Sequence, residues 1–184
     1  MVDLSKYNQK WYSRGKSGWY ILLWWFVQGT VFRFSLHNMY RYRVFILKLF
    51  GASIGKNVII RSSARFHYPW KVEIGDNSWI GDGVYLYSLD KIIIGSNCVI
   101  SQNTYINTAS HDISDESFGL IIKEVTIMDS AWVGASCFIN YGITINKNTV
   151  VGAMSNVTKD LPENSICYGN PCRVIRQRPI ILIK

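Results

Sequence analysis

Histidine is scarce in this chain, and each of its three imidazoles is a candidate general base, because imidazole titrates near neutral pH. They are His37, His67 and His111. His37 stands beside Asn38 in a Trp-rich N-terminal segment and reads as a partly exposed helix or turn residue. His67 lies within Phe66-His67-Tyr68-Pro69-Trp70 and reads as structural. His111 differs from both. It follows Asn107-Thr108-Ala109-Ser110 and immediately precedes residues 112–126, which match nothing in the pattern around them. Long loops projecting from a rigid scaffold are preferred places for binding and catalysis, so His111 is the expected base. Asp112 beside it either orients the imidazole or starts the loop. No metal site is expected. A three-histidine zinc centre needs its ligands clustered, and the four cysteines, Cys98, Cys137, Cys167 and Cys172, show no CxxC spacing.

The scaffold that must hold His111 is written as a six-residue beat. An aliphatic residue, often followed by Gly, recurs at Ile54, Ile60, Ile74, Ile80, Leu86, Ile94, Ile100 and Ile106. After the break it continues at Ile127, Val133, Ile139, Ile145, Val151 and Val157. Four residues after these positions sits a second, mostly small set: Val58, Ala64, Ser78, Val84, Cys98, Thr104, Ser110, Ala131, Cys137, Ile143, Thr149 and Ser155. Strand side chains alternate faces, so both sets point the same way, inward. Gly after the aliphatic position is expected to supply turn conformations that bulkier residues resist. A short fixed period signals a solenoid. Starts at 54, 74 and 94 lie 20 apart, and 127 to 145 is 18, so three hexads make one triangular coil, with two extra residues in the early coils. The expected fold is an all-β solenoid, the left-handed parallel β-helix, over residues 54–160 with a loop excursion at 112–126. Cys98 and Cys137 then become buried thiols.

Residues 1–53 are different material. The stretch GWYILLWWFVQGTVFRF is dense in Trp and Leu, has basic flanks, and is interrupted by Gln28, Gly29, Thr30 and Arg33. That leaves it short of the ~20 apolar residues that span a bilayer. One or two helices capping the first coil are expected. The rival role for Trp19, Trp24 and Trp25 is an interfacial helix on a membrane. Residues 161–184 are read as a basic tail. The net charge is +8, from 20 basic against 12 acidic residues, with Lys10, Arg14, Lys16, Arg33, Arg41, Arg43, Lys48, Arg173, Arg176, Arg178 and Lys184 near the ends. No nucleic-acid motif accompanies these cations, so nucleic acid is a poor partner and an anionic membrane or a phosphate-bearing ligand a better one. The cysteine usage and the start, which lacks a signal-peptide pattern, point to a cytoplasmic protein, and the Trp-rich head with its basic flanks to peripheral contact with the inner face of the membrane.

The hexads, TASHD at 108–112, SAWVGAS at 130–136 and VGAMSNVTKDLPENSICYGNPCRVIR at 151–176 resemble the hexapeptide-repeat acyltransferases. Within them the chain is similar to the maltose, galactoside and nodulation O-acetyltransferases. It is most similar to the colanic acid biosynthesis acetyltransferases, through LLWWFVQGTVFR at 22–33, YPW at 68–70 and SFGLI at 117–121. The resemblance covers nearly the whole chain from about Trp19. It implies a homotrimer with sites between subunits, acetyl-CoA as co-substrate without a metal, and a sugar or lipid-linked glycan acceptor. It also implies that His111 is the catalytic base, taking a proton from a sugar hydroxyl with no covalent enzyme intermediate. Where relatives carry an acceptor-holding Asn this chain has Gly81-Asp82-Gly83, which makes Asp82 the nearest polar substitute; its other reading is a solvent-facing turn residue. Trp132 corresponds to a site-lining Trp. Gly134, Ala135, Gly152 and Ala153 would offer backbone groups to the pantetheine arm, and Thr158, Lys159 and Arg173 would meet the nucleotide end. Met154 stands where relatives have Gly. Other functions left open are a non-catalytic assembly subunit and an N-acetyltransferase on an amino sugar.

Overall fold

The computed structural model describes residues 2–179, and Lys184 of the expected basic tail lies outside them. The repeat folds as the expected parallel β-helix, a three-sided prism whose strands stack coil on coil. The first face runs through Ser53–Ile54, Val72–Ile74, Ile92–Ile94, Val125–Ile127 and Thr144–Ile145. The second carries Ile59–Ile60, Trp79–Ile80, Val99–Ile100, Trp132–Val133, Val150–Val151 and Ser165–Tyr168. The third carries Arg65–Phe66, Tyr85–Tyr87, Tyr105–Asn107, Phe138–Ile139 and Asn156–Val157. Register keeps each aliphatic row vertical: Ile54, Ile74, Ile94, Ile127 and Ile145 on the first face, and Ile60, Ile80, Ile100, Val133 and Val151 on the second. All are buried, which supplies most of the stabilisation at roughly 1.5–3 kcal/mol per large aliphatic side chain.

The small inward row holds with one correction. Ser110 is only half-buried, and Thr108 takes the interior place. The two extra residues of the early coils lengthen the turn after the third face. Ser88 and Thr108 therefore point inward, and their hydroxyls bond across coils to Tyr68 and Tyr87. The same lengthening builds a ledge of Tyr68, Leu89, Ala109 and Leu120, packed against Ile21.

The glycine after each aliphatic residue has a different cause from the one expected. At Gly134 a Cβ would lie 2.6 Å from the backbone nitrogen of Ala153, and at Gly75 2.6 Å from the carbonyl carbon of Gly95. Close stacking of coils forbids a side chain there. The left-handed turn conformation falls three residues after the aliphatic position, on Asn57, Asn77, Asn97, Asn103 and Asn148, on Gly83 and Gly142, on Ser130 and Ser136, and on Met154 with φ of 60°. Asparagine tolerates that region well; Met does not.

The head consists of two helices. α1 (Gly18–Val27) starts at Ser17, whose hydroxyl accepts the Tyr20 N–H, and runs into a wide turn at Gln28–Phe32. α2 (Tyr40–Leu49) covers the first coil with Ile46 and Leu47. The three tryptophans divide their roles. Trp24 is fully buried as a cap, its Nε1 donating to the Phe66 carbonyl, whereas Trp19 is 83% exposed and Trp25 42%. Arg43, one of the basic residues read from the sequence as flanking charge, is entirely buried. Its guanidinium donates to the carbonyls of Ile60, Leu36 and His37 and to the Ser35 hydroxyl, tying α2 and the turn before it to the first coil. At the other end the parallel stack continues to Tyr168. A turn at residues 169–172 then reverses the chain, and Arg173–Gln177 pairs antiparallel with Ser165–Tyr168.

Candidate active site

His111 sits on a β-hairpin that leaves the edge between the third and first faces. Ala109–His111 pairs antiparallel with Leu120–Ile122, placing His111 opposite Leu120, whose side chain is anchored in the ledge. The imidazole stacks flat on Phe118, with ring centroids 4.3 Å apart and planes at 4°. Its Nδ1 lies 2.9 Å from the Phe118 carbonyl oxygen. A carbonyl only accepts, so Nδ1 carries the proton and the Nε2 lone pair is left for a substrate. Phe118 adopts φ of 52° to present that carbonyl, a strained conformation for an aromatic residue. The Asp112 carboxylate bonds instead to the backbone and hydroxyl of Ser114, which, with the backbone bond, holds it below the usual carboxylate range. The orienting acceptor in this structure is thus a backbone group that residue types alone do not reveal.

The N-terminal arm closes over this hairpin. Asp3 N–H donates to the Glu116 carbonyl, Lys6 pairs with the Glu116 carboxylate at 2.7 Å, and the Tyr7 ring lies 5.7 Å from that of His111. Tyr12 donates to the Leu89 carbonyl, with Lys71 against its ring. Nothing in the spacing of Tyr7 or Tyr12 marks them in the sequence, and Phe118 stands there only as part of the SFGLI stretch, with no role attached. The other two histidines occupy different surroundings. His67 packs among Tyr68, Tyr85 and Tyr87, and burial, aided by nearby cations, pushes it down to about 4, leaving it neutral. His37 is exposed, its Nε2 2.6 Å from the Arg61 guanidinium.

The remaining candidates line two edges of the prism. Along the edge between the second and third faces, Asp82, Gln102, Ala135 and Ala153 occupy successive coils, linked by Asn103 N–H to Asp82, Ser136 N–H to Gln102 and Met154 N–H to Ala135. The Asp82 carboxylate accepts from Ser63 at 2.6 Å and from Arg61 at 2.7 Å, and these partners, the Ser63 hydroxyl first, hold it below its ordinary value. It borders a groove of about 310 Å³ with Trp79, Ser101 and Tyr40. Trp132 stands half-exposed on the adjoining second face and donates to the Ser101 hydroxyl at 3.0 Å. The N–H groups of Gly134 and Gly152 are spent on the Val151 and Cys167 carbonyls of the next coil. Those of Ala135 and Ala153 have no partner among the described residues.

The second edge is that of His111. Thr158 and Lys159 lie along it in an open groove with Lys123 and Tyr141, the Lys123 ammonium 5.9 Å from the Tyr141 ring centroid. Arg173 leaves the terminal turn, which docks through the Cys172 N–H on the Asn156 carbonyl, two residues before Thr158. Within one chain the third face separates His111 from Asp82, Ala135 and Ala153, and no contact joins the two sets. All four cysteines are buried free thiols, with Cys172 pushed up to about 11 by burial. Among the described residues no group of three or more His, Cys, Asp or Glu stands together as a metal site.

No protein-family model matches the chain. Curated relatives do. A protein of Escherichia coli K12 named as a colanic acid biosynthesis acetyltransferase is 46% identical over 178 residues, 97% of this chain and 98% of the relative. The chain belongs to the hexapeptide-repeat acetyltransferases. Solved members superpose over most of its length. A maltose O-acetyltransferase from Clostridium difficile 630 matches with a TM-score of 0.80 at 32% identity, covering 89% of this chain and 90% of that one. A galactoside acetyltransferase in complex with coenzyme A matches with 0.80 at 28%, covering 90% and 84%. As a hexapeptide-repeat acetyltransferase, the protein presents an imidazole with a free Nε2 on one edge. Unpaired backbone donors stand on another, with cationic side chains near the end of the helix.

Proposed function

We propose that this hexapeptide-repeat acetyltransferase moves an acetyl group from acetyl-CoA to a sugar hydroxyl of a surface or exopolysaccharide precursor. The observation that carries the reading is the His111 Nδ1 to Phe118 carbonyl bond, which fixes the tautomer and leaves Nε2 as a base. Nε2 takes the hydroxyl proton as the sugar oxygen bonds to the acetyl carbon. The carbon–sulfur bond breaks, and the proton passes from Nε2 to the departing sulfur. A thioester is already activated, so a positioned base and hydrogen-bond donors suffice. Ala135 and Ala153 offer free N–H groups to the amide-bearing arm of acetyl-CoA, while Thr158, Lys159 and Arg173 offer polar and cationic contacts to its phosphates. Because His111 and these N–H groups occupy different edges, the site is completed by a neighbouring subunit in a homotrimer. Release of free thiol from acetyl-CoA, scored across a panel of sugars and lipid-linked oligosaccharides, tests the activity. Mixed trimers of a His111→Ala chain with an Ala153→Pro chain test the shared site, since each inactive parent would then regain partial turnover.

The head group of the chain favours work beside a bilayer. Trp19, Leu22, Leu23, Phe26, Phe34, Phe45 and Leu49 are all exposed on the two helices and the turn between them. No acidic residue stands between Asp3 and Glu73, whereas Lys16, Arg33, Arg41 and Lys48 flank the apolar surface. Apolar anchors ringed by cations alone suit an anionic lipid surface. No helix among the described residues is long and apolar enough to cross a membrane. Flotation with anionic vesicles at low salt tests this part. Binding lost on Leu22→Ser/Phe26→Ser supports it, and a wild-type protein that stays unbound refutes it.

A further inference from the structure

A groove lies apart from the His111 hairpin, at the junction of head and solenoid. It has a volume of about 550 Å³ and is formed where the end of α1 leans on the third face, between Trp25, Gln28 and Arg33 on one side and Arg65, His67 and Tyr85 on the other. Its walls are held in place. Gln28 accepts the Phe66 N–H at 2.6 Å, fastening the helix end to the strand. The Arg65 guanidinium lies 4.5 Å over the Tyr85 ring, and His67 Nδ1 sits 3.1 Å from the Tyr85 hydroxyl. The Trp25 ring leans on His67 at 5.9 Å.

Charge decides what such a groove takes. Arg33 and Arg65 are exposed, and neither has a carboxylate partner among the described residues. No acidic side chain among the described residues lines the groove; Asp82, bonded to the groove-lining Ser63, is paired with Arg61. His67, held neutral by burial, adds hydrogen-bonding capacity without charge. Two guanidiniums without carboxylate partners beside aromatic side chains match a sugar carrying a phosphate: the planar forks bind phosphate oxygens, and the exposed Trp25 ring stacks on a pyranose face, the Tyr85 face being covered by Arg65. The aromatic side chains continue toward the base. Tyr85 meets Tyr105 at 5.1 Å, His67 meets Tyr87 at 4.8 Å, and Tyr7, against His111, covers the far side. From the rung of Arg65 to that of Tyr105 is two strand spacings, roughly 10 Å along the stack.

We infer that this groove, formed by Trp25, Arg33, Arg65, His67 and Tyr85, is a subsite for the phosphate-linked sugar of the acceptor. A glycan held there by its phosphate extends along the aromatic row toward His111. Its mouth adjoins the exposed apolar surface of α1, so a glycan attached through phosphate to a lipid reaches the groove without leaving the bilayer. The assignment rests on the acetyl-transfer reading only for the identity of the acceptor.

Equilibrium titration calorimetry with coenzyme A saturating, so that its own phosphate contacts are filled, tests the subsite without turnover. The probes are glucose 1-phosphate, glucose and glycerol 1-phosphate. Glucose 1-phosphate is expected to bind the wild type at least tenfold more tightly than either other probe. Arg33→Ala/Arg65→Ala, in which both exposed side chains are truncated, should bind it at least tenfold more weakly while binding coenzyme A as the wild type does. Equal binding of glucose and glucose 1-phosphate, or no loss in the double variant, overturns the assignment. Glycerol 1-phosphate binding as tightly as glucose 1-phosphate also overturns it, in favour of a lipid headgroup. Acetyl transfer is scored separately: selective glucose 1-phosphate binding without any transfer would leave the subsite standing and sink the enzymatic reading.

Discussion

Replacing Arg43 by Met should destabilise the protein far more than its exposed neighbours would suggest. The guanidinium is buried and donates to the Ile60 carbonyl at 2.6 Å, to the Leu36 and His37 carbonyls at 2.8 Å, and to the Ser35 hydroxyl at 2.9 Å. No carboxylate among the described residues stands within ion-pair distance; the charge is solvated by three backbone oxygens and the Ser35 hydroxyl, and burial lowers its basicity. Methionine fills part of the volume but donates nothing. Each buried acceptor left without a donor costs about 1–3 kcal/mol. The Leu36 and His37 carbonyls belong to an exposed turn and regain water, while the Ile60 carbonyl faces the cap and is left without a donor, so the net loss is about 1–3 kcal/mol. For a chain of this size that corresponds to a fall in Tm of roughly 2–12 °C. The assay is thermal and urea unfolding at matched protein concentration, with Arg41→Met, truncating an exposed arginine two residues away, expected within about 0.5 kcal/mol of wild type. A loss below about 1 kcal/mol for Arg43→Met would refute the view that this side chain latches the head to the first coil.

Other substitutions follow from the same geometry. Gly134→Ala puts a Cβ 2.6 Å from the Ala153 nitrogen, where only backbone can yield, and is expected to cost about 1–3 kcal/mol in urea unfolding. Asp82 has its carboxyl depressed, so its stabilisation is present above the unfolded value and lost as pH falls through the folded one. The Tm gap between wild type and Asp82→Asn should therefore close on acidification below about 4. Exhaustive chelation should leave acetyl transfer intact, and activity lost to a chelator and restored by a divalent ion would contradict the metal-free chemistry proposed.

The solenoid was legible because its signal is repeated: one inward position every six residues survives local exceptions, and Ile54 through Val157 report it many times over. What escaped was set by contacts between coils. The glycine positions were legible, but their cause, backbone against backbone at the next coil, was not, and the left-handed turn was borne by Asn57, Asn77, Asn97 and Asn148 instead. Ser110 yielded its interior place to Thr108 because two extra residues lengthen the corner, a count that a hexad template cannot assign to one side of the corner. Arg43 looked like surface charge, since no local pattern distinguishes a buried arginine from its exposed neighbour Arg41. At the site, His111 stood out by its place at the pattern's break. Its orienting partner, the Phe118 carbonyl, is a backbone group that every residue carries.

The central claim is that the Nε2 of His111 is the base for transfer to a sugar hydroxyl. The direct measurement is turnover of acetyl-CoA by His111→Ala at saturating acceptor, on protein shown by Tm and sedimentation to keep the wild-type fold and assembly. A fall in kcat on the order of 10²–10⁴-fold, with coenzyme A affinity unchanged, is the expected result. Near-normal transfer to any accepted sugar would contradict the account and remove His111 from the mechanism.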